Sequence, residues 1–400
     1  MRKIAIIISH PIQYYAPWFH YLNEQSGYSI RVFYLWDFGV WQHTDRDFQQ
    51  TIQWDIPLLS GYDYEFVPNV SVQPGTHHFW GLQNPSLITQ VKQFDPDAVL
   101  LMNYNYASLY HFLWHWRQTP LLFRGDSHRL WGGSSVKAWI KKQWITQLYR
   151  RFAACLYVGQ ANYRYFRIHG MESDRLFFSP HAVDNERFLT QAIAAQVAAQ
   201  QWKQELGIPS DHAVILFAGK FIPKKRPLDL LNAFLQADLA NTSLLFVGGG
   251  ELESSLRQRA SQHAHVYFAP FQNQTFMPRT YAIADLFVLP SYGPAETWGL
   301  AVNEAMCLGK PLIVSDHVGC AADLVHPNRN GFVFPAGQVS ALADCLTSAL
   351  SDRDRLKTWG EYSLYLVKKY SYYHATQGLQ KAISSLEYQS PLLYSRATSL

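Results

Sequence analysis

Short apolar-rich runs recur along this chain, most of them followed by a stretch with helical spacing. Ile4–Ser9 is the first, then Ser29–Leu35, Ala98–Met102, Pro120–Arg124 and Ala154–Val158. A strand that is apolar at every position has no side for water. It belongs in a parallel sheet covered on both faces. Helical stretches at Pro17–Gln25, Ser108–Arg117 and Val136–Phe152 supply the covers. The alternation predicts a doubly wound, Rossmann-like α/β domain. The pattern then restarts. Val214–Ala218, Ser243–Val247, His265–Phe268, Leu286–Pro290 and Pro311–Ser315 alternate with helices at Pro227–Gln236, Glu251–Gln262, Met277–Ala284, Trp298–Leu308 and Val339–Leu350. Four hundred residues leave room for two such domains, placed at 1–190 and 205–370 and linked by an Ala- and Gln-rich helix. Residues 371–400 form a tail with one more helix. Residues 36–95, rich in Trp, Gln, Asp and His, show no clear period.

Composition removes several classes. At 48% apolar the chain builds a large core and is not disordered. A net charge of +4 is too small for a dedicated nucleic-acid binder, so no nucleic-acid partner is expected. Anionic small molecules or an anionic membrane surface remain compatible. The four cysteines include no CxxC pair, which reads as a reduced, cytoplasmic protein. The apolar run after Met1-Arg2-Lys3 is too short for a secretory signal. No stretch has the roughly 18 apolar residues of a membrane span, so the expectation is a soluble or peripheral protein.

The strongest chemical signal is Glu296-Thr297-Trp298-Gly299-Leu300-Ala301-Val302-Asn303-Glu304. It lies between a strand and a helix. The free N–H groups at the start of that helix attract phosphate, and Gly299 allows close approach to the backbone. Glu304, two turns in, can accept hydrogen bonds from a ribose diol. Glu296, in the loop, can do the same for sugar hydroxyls. Two unrelated glutamates on a surface helix are the plain alternative. Upstream, Lys220 and Lys225 follow a strand and a glycine, the makings of a diphosphate clamp; the alternative is that Lys224, Lys225 and Arg226 are a solvated charge run.

Taken together, these residues resemble glycosyltransferase family 4, retaining enzymes of the two-domain GT-B fold. The resemblance rests on Ala284–Ser291, on Glu296 and Glu304, on Ala305-Met306 and Gly309–Asp316, and on Asn330-Gly331-Phe332. It extends to Phe217–Arg226 and to Pro180-His-Ala-Val-Asp184. It covers about 180–370 well and the first half weakly. It implies that Glu296 contacts the donor sugar, Glu304 the ribose, and Lys220 and Lys225 the diphosphate. Lys220 stands where the family usually has Arg. Thr297, Trp298, Gly299 and Leu300 would border the donor, Gly249 would line its cleft and Phe268 would lie beside the base. The tail helix would cross back to the first domain. A nucleoside-diphosphate sugar is the implied donor, with a saccharide or lipid-linked acceptor.

The first half should bind that acceptor. In place of the family's glycine-rich loop stands Ser9-His10-Pro11-Ile12-Gln13, which puts His10 and Gln13 at a strand's carboxyl edge, where α/β ligands bind. After the strand Pro120–Arg124 the family places a His-type group near the reacting sugar. Here Asp126 falls at that position and His128 two residues on; the sequence does not choose between them. The Asp45-Arg46-Asp47 triplet does not follow an apolar strand, and neither a metal nor another cofactor is expected. The implied chemistry is a front-face substitution, with the leaving phosphate oxygen taking the acceptor's proton. Other readings are a non-catalytic carbohydrate- or partner-binding module, or another nucleotide-sugar enzyme such as an epimerase.

Residues 127–171 carry eight Lys or Arg and no Asp or Glu. Within them Val136, Ile140, Trp144, Leu148 and Phe152 repeat every four residues. The segment 136–152 reads either as an interfacial helix on anionic lipid, at the inner face of a membrane, or as a core-facing helix with a basic edge.

Overall fold

The computed structural model describes residues 1–40, 43–45, 48, 50–130, 136–294 and 296–396. The strands in chain order are β1 Lys3–Ile8, β2 Ser29–Tyr34, β3 His43–Asp45, β4 Gln50–Ile52, β5 Asp63–Phe66, β6 Ala98–Leu101, β7 Leu121–Arg124, β8 Ala154–Tyr157 and β9 Leu176–Phe178. They continue as β10 Ala213–Lys220, β11 Thr242–Gly249, β12 Val266–Ala269, β13 Leu286–Leu289, β14 Leu312–Ser315 and β15 Gly331–Phe334. Seven form one sheet in the order β5-β2-β1-β6-β7-β8-β9, and six form another in the order β12-β11-β10-β13-β14-β15. Every pairing in both sheets is parallel. The pair β3–β4 is a separate antiparallel hairpin.

Burial explains the apolar runs. Ile4, Ile6 and Ile8 of β1 pack with Trp18, Phe19 and Leu22 of the helix Ala16–Gln25. Ala5 and Ile7 face the other way, toward Leu87, Leu109 and Phe112. The second sheet repeats this: Val214 and Leu216 belong to one core, Ile215 and Phe217 to the opposite one. The sheets have more strands than the sequence reveals: β5 lacks an apolar run, and β9 and β15 are apolar but only three and four residues long. Asp-Tyr-Glu-Phe in β5 is at most half-buried.

Strand order reverses between β1 and β6 in the first sheet and between β10 and β13 in the second. A crevice opens at such a switch point, outside the carboxyl ends of the strands. β10 ends in Lys220, and β13 runs out into the loop that carries Glu296.

The last helix, Tyr372–Arg396, packs on the first domain although the segment before it belongs to the second. Leu379 and Ile383 are buried in the β1 core, each contributing roughly 1.5–3 kcal/mol. Trp18 Nε1 donates to Thr376 Oγ1 at 3.2 Å, and Ser179 Oγ donates to the Ala375 carbonyl at 2.9 Å. The helix lies so close that a Cβ on Gly378 would sit 2.0 Å from the Phe178 carbonyl oxygen. Gly378→Ala should therefore cost about 1–3 kcal/mol and make the tail the first site of proteolytic cleavage. A thermal melt and limited proteolysis would check this; unchanged values would mean the helix is not seated on β9.

Candidate functional site

A cleft of about 480 Å³ lies between the domains at the two switch points. Its second-domain wall is built around one turn. Gly299, at φ +96°, opens the helix Leu300–Cys307. An added Cβ there would lie 2.9 Å from Val318 Cγ1 and 3.1 Å from Leu289 Cδ2, so only glycine fits both the conformation and the space. No side chain caps this helix start. Its first N–H groups remain available to an anion beside Thr297, Leu300 and Ala301, which all line the cleft.

Glu296 precedes the turn. Its Oε2 accepts from Ser291 Oγ at 2.8 Å and is ion-paired with Lys225 Nζ. Lys220 also lines the cleft, its Nζ 5.0 Å from the centre of the Phe48 ring. Glu304 is buried in the helix. Its Oε2 accepts from the Tyr281 hydroxyl at 2.7 Å, while Oε1 has no hydrogen-bond partner. Burial pushes this carboxyl up to about 7, against the opposing effects of Tyr281, Arg187 and Tyr14. A carboxylate with one idle oxygen at a cleft wall can take a hydroxyl donor.

The first domain contributes Asp126 and Gln13 to the same cleft. Asp126 Oδ2 accepts from Thr297 Oγ1 at 2.7 Å and lies 3.3 Å from His181 Nε2. Burial would raise this carboxyl, but His181, Thr297 and the Arg124 charge outweigh it and hold it at about 2. Burial lowers His181 below its ordinary value, so near pH 7 the neutral ring donates from Nε2. The Asp126 side chain keeps 37% exposure.

Residues 198–364 match the family described as Glycosyl transferases group 1. The structure superposes on HepE of Anabaena in complex with UDP and glucose at a TM-score of 0.72. That match has 16% identity and covers 96% of this chain and 100% of that one. It also superposes on WaaG, a glycosyltransferase involved in lipopolysaccharide biosynthesis, at 0.63 with 16% identity, covering 95% and 99%. The fold is GT-B. In sequence, the chain is 27% identical over 230 residues to a D-inositol 3-phosphate glycosyltransferase of Nocardia farcinica, covering 54% of this chain and 49% of that protein. The chain thus spans about half the length of the curated relatives it matches.

On this GT-B frame several sequence expectations shift by a few residues. Gly248, not Gly249, lines the cleft. A Cβ on Gly248 would meet the Gly219 carbonyl oxygen at 2.0 Å, so the close approach of β10 and β11 falls there. Phe268 stacks on Phe246 with its centroid 5.4 Å away, in the core on the far side of the sheet, and Arg257 covers its ring. Phe271, three residues on, lines the cleft instead. His10 turns to Ser9 Oγ, 2.9 Å away, and to the Trp36 and Phe38 rings, outside the cleft. Asp126 and His128 separate: Asp126 faces the cleft, whereas His128 Nε2 reaches the Glu296 carbonyl at 3.4 Å. Trp298 borders the cleft, but its indole is buried between the domains, with Nε1 donating to Asn303 Oδ1 at 2.8 Å. Of the Asp45-Arg46-Asp47 triplet, Arg46 and Asp47 lie outside the described residues. Among the described residues no cluster of His, Cys, Asp and Glu could hold a metal.

Sequence reasoning passed over His181, Tyr281 and Ser291. His181 sat in plain view in Pro180–Asp184, but nothing local marks it as the partner of a residue 55 positions earlier.

The Glu304 shift gives a signed expectation. Unfolded chain loses this proton near 4.5 and folded protein near 7, so stability falls as pH rises through that window. Glu304→Gln should stabilise the free protein at pH 8 by about 1–3 kcal/mol and leave it nearly unchanged at pH 5. Denaturant melts at the two pH values measure this. An equal effect at both would show that Glu304 does not titrate in the window.

Proposed function

We propose that the chain is a retaining glycosyltransferase that moves a sugar from a nucleoside-diphosphate sugar to a saccharide or lipid-linked acceptor. One observation carries the reading: an uncapped helix start, two lysines and two carboxylates with different partners converge on one interdomain cleft. Each matches one part of such a donor. The diphosphate lies on the N–H groups of the helix start and on Lys220 and Lys225. Glu304 Oε1 takes the ribose diol. Glu296, steadied by Ser291 and Lys225, takes the sugar hydroxyls. UDP-glucose is the first donor to test, because HepE is seen with UDP and glucose and with UDP-glucose.

As the glycosidic bond breaks, negative charge grows on the leaving phosphate oxygen. The lysines and N–H groups line the cleft on the side of that charge, so they stabilise the transition state. Positive charge grows on the sugar. Asp126, ionised and pinned through Oδ2, faces that charge from the opposite domain. In a front-face substitution the leaving oxygen then takes the proton of the acceptor hydroxyl, and configuration is retained. This reading places the reaction in polysaccharide or glycolipid assembly, in the cytoplasm and at the inner face of a membrane. No divalent metal takes part in it.

Glu296→Gln should lower turnover roughly a hundredfold, with the dissociation constant for UDP changed by less than about threefold. UDP release from UDP-sugars, with and without added acceptor, measures the first; a thermal shift measures the second. Intact turnover in the variant would remove Glu296 from the sugar site. UDP binding with no UDP release from any sugar donor would point to a binding module, and interconversion of the sugar without release to an epimerase.

A further inference from the structure

The helix Val136–Tyr149 is divided between the core and the surface. Ile145, Leu148 and Tyr149, with Phe152 beyond the helix, enter the first-domain core. Val136, Ile140 and Trp144, the other half of the same stripe, stay outside, and so does Trp139. Trp139 is 62% exposed and Trp144 50%.

These residues do not stand alone. Trp144 stacks on Tyr110, centroids 6.1 Å apart, and its Nε1 donates to the Tyr110 hydroxyl at 3.1 Å. Tyr110 touches Phe79, which touches Trp80. Trp114 lies one turn along the helix Ala107–His115 from Tyr110, on the same side. Trp80 is 62% exposed and Trp114 64%. Three segments far apart in sequence thus build one aromatic face. Surface tryptophans scattered singly need no explanation, but Trp80, Trp114 and Trp144 gathered around Tyr110 and Phe79 do.

The charge around the face has one sign. None of the segments 68–83, 107–117 and 136–151 contains Asp or Glu. Lys137 and Lys141 are exposed on the same helix as Trp139 and Ile140. Against a second copy of this chain, the face would set lysine against lysine with no acid to relieve it. Against a bilayer with anionic headgroups, the lysines meet opposite charge. The indole rings then sit at the headgroup level, where Trp is favoured.

We propose that this face, formed by 79–80, 110–114 and 136–144, docks the protein on an anionic bilayer as a peripheral contact. Among the described residues no helix is long and apolar enough to cross a membrane, and the face needs none. The surface lies outside the donor cleft, so it is independent of the catalytic reading and is tested without any turnover. The chain is sedimented with vesicles of phosphatidylcholine alone, and with vesicles of phosphatidylcholine mixed with phosphatidylglycerol. Binding to the mixed vesicles only is expected, falling with added salt. Trp139→Ser with Ile140→Ser, and separately Lys137→Glu with Lys141→Glu, should each weaken it at least about tenfold. Trp114→Ser, on the other helix, should weaken it in the same direction. All variants should keep the wild-type melt and the wild-type thermal shift with UDP. Equal or negligible binding to both vesicles would overturn the proposal. So would a dimer in sedimentation velocity that the Trp139 variant dissolves, since that would assign the face to a second copy.

Discussion

The turn from Glu296 to Gly299 is the constraint on which the cleft depends. Its backbone is clamped to the next loop: Gly319 N–H donates to the Glu296 carbonyl at 3.0 Å, and Cys320 N–H to the Trp298 carbonyl at 2.9 Å. A Cβ on Gly319 would fall 1.8 Å from the Thr297 carbonyl oxygen, so the two loops press together with no room for a side chain. Fixed in this way, four residues do four jobs. Glu296 points to Lys225, Thr297 holds Asp126 of the other domain, Trp298 fills the domain boundary, and Gly299 starts the helix whose N–H groups face the cleft. The boundary itself is tightly fitted. Trp298 packs where a Cβ on Gly159 would come within 2.5 Å of its ring, and Asp323 accepts the Gln160 N–H that opens the helix Gln160–Ile168. One wall of the cleft and the domain contact are thus built from the same turn.

Two carboxylates in this cleft are shifted in opposite directions, and the reason is the company each keeps. Burial of Glu304 outweighs the Tyr281 and Tyr14 phenols and the Arg187 charge beside it, so its proton is held up to about 7. Asp126 has an imidazole and a hydroxyl donor on one oxygen and an arginine nearby, so the same penalty is overcome. The first is a carboxyl whose proton comes off near neutral pH. The second is a settled negative charge that no physiological pH removes.

Much of this could be read in the chain before any coordinates. Fully buried strands give continuous apolar runs, and for that reason both sheets and the two-domain plan were legible. The Glu296–Glu304 spacing and the two lysines were legible because they are local. The errors share a cause as well. Choosing Gly248 over Gly249, or Phe271 over Phe268, needs the twist and register at a strand's end, and one residue there reverses the face. His10 was placed by its position at a strand edge, yet the aromatic pair Trp36 and Phe38 draws it away. His181 and Asp126 meet only through the fold. The edge strand β5 is Asp-Tyr-Glu-Phe, so its two acids break the apolar run that betrays a central strand.

The basic aromatic segment shows a different limit. A four-residue repeat drifts around a helix of 3.6 residues per turn, by about 40° at each step. Over the five members from Val136 to Phe152 the stripe therefore cannot keep one environment, and a helix at the rim of a domain converts the drift into a division. The end near Leu148 turns under the sheet; the end near Val136 turns out to solvent. The core-facing reading holds for the half near Leu148, and the half near Val136 is exposed. The chain reaches this helix directly from Asp126 and His128, the loop that bridges the two domains at the cleft. Cleft-facing Asp126 and the exposed residues of this helix thus belong to the same domain.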